Sequence, residues 1–143
     1  MSDRETLRES TTDNSDPWQD LVVSILSVNQ YSLERTYTCV SGLRKQGLFE
    51  PIKLGQWSPS DIVEKLRSAG CDRGPFMTSL FAQRLANLGA LIKSKGADRC
   101  TRVIAGTDVQ AIEGLLLPVN GIGPRVLANF RLLRGTSEHE RPQ

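Results

Sequence analysis

The segment richest in chemistry is Val119-Asn120-Gly121-Ile122-Gly123-Pro124-Arg125. Two glycines around one β-branched residue let the backbone turn tightly and expose successive amide N–H groups. Pro124 fits the first position of a new helix, so those donors meet a helix N-terminus whose dipole favours an anion. A phosphodiester oxygen is the natural ligand. In this reading Asn120, Gly121 and Gly123 form the turn and Ile122 points inward as its anchor. Arg125 adds a charged contact to the same or the next phosphate. The same residues also fit a plain glycine-containing loop between packed helices. The flanks favour binding: an apolar helical run precedes the hairpin, and Ala128 and Phe130 follow on an amphipathic helix.

Other reactive side chains are scattered. Cys39, Cys71 and Cys100 lack the CxxC spacing of a zinc site and the four thiolates of an iron–sulfur cluster. They read as reduced thiols of a cytoplasmic protein, and neither metal nor cofactor is expected. Trp18 falls on an apolar stripe and reads as core. His139, the single histidine, stands in a polar tail and receives no role.

The elements that must position the hairpin read as helices, and no strand pattern appears. Asp16-Pro17-Trp18-Gln19 offers an N-cap, a proline start and a capping-box Gln, followed by the stripe Trp18, Leu21, Val22, Ile25 and Leu26. Ser32 is placed to cap a second helix that stops near Gly47. Residues 49–57 contain Pro51 and Gly55 and read as a connector. Ser58-Pro59 opens a third helix ending at Gly70. The longest stripe runs through Met77, Leu80, Phe81, Arg84, Leu85, Leu88 and Ile92. Thr107-Asp108 caps a fifth helix, and Pro124 opens a sixth. The expected class is therefore all-α, a six-helix bundle or barrel containing a helix–hairpin–helix.

A length of 143 residues suits one domain over 16–134, with polar tails at 1–15 and 135–143 expected to be disordered. The 18 basic and 16 acidic residues, a net charge of +2, permit nucleic-acid binding without requiring it. No apolar run reaches the ~18 residues of a membrane span, and no signal-peptide pattern opens the chain.

The stretch LLLPVNGIGPRVLANFRLL resembles the helix–hairpin–helix signature of the endonuclease III superfamily of DNA glycosylases. DPWQDLVVSILSVNQYS is similar to that family's opening helix, and LRSAGCDRGPFMTSLFAQRLANLGALI to its middle section. The resemblance covers about Asp16 to Arg134. It implies the family's six-helix barrel, double-stranded DNA as partner through backbone phosphates, and a setting in base-excision repair. Asn29 and Gln30 match the family loop that fills the gap left by a flipped-out nucleotide, where their amides would bond an orphaned base edge. Read without the family, they equally suit a polar helix end before Ser32.

The departures concern catalysis. Bifunctional members carry a Schiff-base lysine two positions after the second hairpin glycine, and this chain has Arg125 there. A guanidinium holds its proton under ordinary conditions and cannot act as that amine. The family's aspartate beyond the second hairpin helix has no counterpart in GTSEHERPQ, which offers only Glu138 and Glu140. The expectation is a DNA-binding relative of these enzymes, truncated or inactive. Two rivals remain: a monofunctional glycosylase with a rearranged or partner-supplied acid, and a helical protein-interaction module.

Overall fold

The computed structural model of the chain describes residues 16–27 and 36–134. Eight helices have defined bounds among them, and no strand occurs: α1 (Pro17–Leu26), α2 (Val40–Lys45), α3 (Pro51–Leu54), α4 (Pro59–Ser68), α5 (Pro75–Lys95), α6 (Ala97–Ala105), α7 (Val109–Leu116) and α8 (Pro124–Arg134). Proline opens α1, α3, α4, α5 and α8, where its missing N–H costs nothing and its fixed φ suits the helix. Side-chain caps reinforce three starts. Asp16 accepts from the Trp18 amide, Asp108 accepts from Ala111, and Ser58 and Asp61 form a reciprocal capping box. Gln19 is no part of a cap: its side-chain oxygen accepts from the Arg44 guanidinium.

Every residue of α1 is buried, which is why its stripe of Leu21, Val22, Ile25 and Leu26 carries almost no polar interruption. Trp18 is core, its indole N–H donating to Thr101 Oγ1 on α6 at 2.9 Å. α8 lies along α1. α5, 21 residues and roughly 32 Å long, packs against α1, α3, α4 and α6. Its buried residues Phe81, Leu85, Leu88 and Ile92 join those of α1, α4 and α8 in one apolar core. Gly89 of α5 lets α3 approach closely, because a Cβ there would run into the carbonyl oxygen of Leu54.

The expected six helices become eight. The connector holds the short helix α3, and α6 has no counterpart in the sequence reading. α6 carries Ala97, Cys100, Val103 and Ile104 on one face, but it is short, follows Gly96 and has no side-chain cap to mark it. Residues 28–35, with Asn29, Gln30 and Ser32, and the two tails lie outside the described residues.

The thiol reading is corrected. Cys39 and Cys71 form a disulfide across 32 residues of sequence, with Cα atoms 6.2 Å apart. Sequence spacing could not reveal it, because the pair exists only when the start of α2 meets the chain leaving α4. Disulfides persist in oxidising surroundings, so the cysteine argument for a cytoplasmic location falls with the free thiols. Cys100 is free and buried, and burial pushes its thiol pKa up. No helix among the described residues is long and apolar enough to cross a membrane.

Candidate nucleic-acid interface

The hairpin joins α7 to α8 by a short turn whose own hydrogen bonds fix its shape. The Val119 amide donates to the Leu116 carbonyl, and the Ile122 amide donates to the Val119 carbonyl at 3.0 Å. Ile122 and Val119 are both buried and hold the turn to the core. The first α8 bond follows, Leu127 N–H to the Gly123 carbonyl. The amides of Gly121, Gly123 and Arg125 donate to no group among the described residues. They therefore stand as open donors at the positive end of an eleven-residue helix.

The two glycines differ in what they require. Gly121 has φ +107, in the left-handed region, and a Cβ there would lie 2.5 Å from Cγ of Arg84. Both backbone and packing demand glycine. Gly123 is not left-handed and nothing lies within 4 Å of where its Cβ would be. The expectation that both positions need glycine for backbone angle holds at Gly121 alone. At Gly123 the missing side chain only leaves room beside the open donors.

α5 supplies partners that the sequence reading did not assign. Asn87 Nδ2 donates to the Asn120 carbonyl at 3.0 Å, and Gln83 Nε2 donates to Asn87 Oδ1 at 3.1 Å. Arg84, three residues before Asn87, shares its helix face and runs its stem beneath Gly121. The spacing of 83, 84 and 87 was visible in the sequence, but its relation to the hairpin was not. Arg125 is exposed on the first turn of α8. Neither arginine forms an ion pair with a carboxylate among the described residues. Further along, α5, α6 and α7 border a cavity of about 410 Å³ with an apolar floor of Leu91, Val103 and Leu115, and with Lys95 and Arg99 among its lining residues.

A second polar cluster lies away from the hairpin. Asp20 on α1 is buried and ion-paired to Arg134 on the last turn of α8. Burial pushes its pKa up to about 6, against the opposing hydrogen bond and charge of Arg134. Its Oδ1 finds no hydrogen-bond partner among the described residues. The hydroxyl of nearby Tyr37 is pushed up to about 12, by burial first and then by the Asp20 charge.

Asp20 is the only carboxylate buried among the described residues. It pairs with the C-terminal end of α8, roughly 15 Å of helix from the hairpin, and is closed off from solvent. No group of three His, Cys, Asp or Glu side chains gathers to hold a metal ion among the described residues. Set beside protein-family models, curated proteins and solved structures, the chain matches none of them.

Proposed function

We propose that this chain binds double-stranded DNA through its backbone phosphates, with the 119–125 hairpin and the first turn of α8 as the contact. The observation that carries the reading is the set of open amides at Gly121, Gly123 and Arg125, beside an exposed guanidinium at a helix N-terminus. The arrangement of backbone donors suits a tetrahedral anion, so the proposed contact is to the phosphate backbone. The resemblance to endonuclease III-type glycosylases supports the same ligand and suggests a place in base-excision repair.

Base removal needs a carboxylate held against the sugar as positive charge develops, typically worth ~10²–10⁴-fold as general acid–base help. Near the hairpin the described residues offer arginine, asparagine and glycine. The proposed activity is therefore binding without strand cleavage.

The test is fluorescence anisotropy with a labelled duplex over a salt series. Affinity should fall linearly on logarithmic axes as salt rises, equally for unrelated sequences. A chain that shows no duplex affinity at low salt would leave the hairpin a structural loop, and the interaction-module reading would replace this one.

A further inference from the structure

We infer that Arg84 of α5 is a second phosphate contact, so that DNA is gripped from two helices on either side of Gly121. The inference rests on the DNA-binding reading and adds a residue that the hairpin motif does not contain. The stem of Arg84 is half-buried under the turn, its Cβ, Cγ and Cδ all within 3.1 Å of where a Gly121 side chain would begin. Packing thus fixes the aliphatic part, while the guanidinium forms no hydrogen bond or ion pair among the described residues.

The half-buried arginine packs its stem and carries its charged head toward water, where it can meet a ligand. The hairpin that the Arg84 stem packs under carries the open amides of Gly121, Gly123 and Arg125, which are donors like the guanidinium. An unpaired guanidinium on α5 and open amides on the neighbouring hairpin together suit an anion that offers several acceptor oxygens. Asn87, one turn on, holds the Asn120 carbonyl and positions the hairpin over the arginine. A strand bound to the open amides of Gly123 and Arg125 would place a neighbouring phosphate over α5. There Arg84 is pre-ordered by its packed stem, so little rotamer freedom is lost on contact.

Salt-dependent duplex anisotropy with four chains tests this: wild type, Arg84→Met, Arg84→Lys and Lys53→Ala. Methionine keeps a stem under Gly121 and removes the charge. Lys53 sits on α3, outside both α5 and the hairpin, so its variant removes the same unit of charge at another place. Arg84→Met should bind about tenfold or more weakly at fixed salt, as expected for one charge-assisted hydrogen-bonded contact. Its slope of log affinity against log salt should be shallower by about 0.9. Arg84→Lys should recover the slope, and Lys53→Ala should match wild type.

Wild-type slope and affinity in a folded Arg84→Met would overturn the inference while leaving the hairpin reading in place. An equal loss in Lys53→Ala would also overturn it, by reducing the effect to net charge. If the wild type itself fails to bind, both readings fail. Thermal unfolding of Arg84→Met, read by circular dichroism, shows whether the turn has survived. Should it not, Arg84→Gln, with a shorter neutral stem, takes its place under the same criteria.

Discussion

Arg134 Nη1 stands 3.2 Å from Asp20 Oδ2, tying the last turn of α8 to the first turn of α1 across 114 residues of sequence. The pair is almost fully enclosed, with side-chain exposures of 16% and 3%, so the carboxylate loses more hydration than the guanidinium restores. The folded chain therefore holds the Asp20 proton to about pH 6, while the unfolded chain releases it near the ordinary value of 3.8. Across that window the folded state binds more protons, so stability falls as pH rises. The contribution is roughly 2–3 kcal/mol between pH 4 and pH 7. Urea denaturation should show this fall in the wild type and its absence in Asp20→Asn, whose relative stability improves toward neutral pH. Parallel pH profiles for the two chains would refute it.

The hairpin glycines should separate cleanly on substitution. Gly121→Ala forces a left-handed φ on alanine and drives its Cβ into Arg84, a combined cost of roughly 2–4 kcal/mol. Gly123→Ala meets open space and should change stability by less than about 0.5 kcal/mol. Chemical denaturation measures both. A loss of duplex affinity in the fully stable Gly123→Ala chain would report on ligand approach rather than on folding.

The Cys39–Cys71 bond closes a loop of 32 residues, which by chain entropy contributes about 3.5 kcal/mol. Cys39→Ser should lower the unfolding free energy by about that amount. Alkylation under native, non-reducing conditions should label none of the three cysteines, since two are bonded and Cys100 is buried. Prompt labelling of Cys39 or Cys71 in oxidised protein would contradict the pairing.

On substrates carrying uracil, oxidised or alkylated bases, single-turnover reactions with protein in excess should release no base. Borohydride should trap no adduct, because Arg125 replaces the amine. Base release that vanishes in Glu138→Gln or Glu140→Gln would make the chain a working glycosylase with a rearranged acid.

Helix content was legible because caps, prolines and apolar stripes are local signals, and α1, α4, α5, α7 and α8 announce themselves that way. α6 lacked the start signals: it follows Gly96 with no capping side chain and no proline, so its apolar face of Ala97, Cys100, Val103 and Ile104 went unmarked. The hairpin's outline was readable from Gly121, Ile122 and Gly123. Which glycine is compulsory was not, because that depends on an arginine 37 residues earlier in the chain. Arg84 itself read as one member of a stripe. Cys39, Cys71, Asp20 and Arg134 show the same limit: each acquires its meaning only from a partner that folding brings to it.

Gly89 and Arg84 make α5 a ruler with two marks. Five residues separate the position that admits the Leu54 carbonyl from the one that lies under Gly121, which sets their directions roughly 140° apart around the axis. Inserting a single residue between them would turn one mark by ~100° and advance it by ~1.5 Å. The glycine could then no longer face α3 while the arginine faced the hairpin. The length of this helix segment is thus as tightly specified as any side chain on it, and a deletion or insertion at 85–88 would break the register between the hairpin and α3 even if every residue type were preserved.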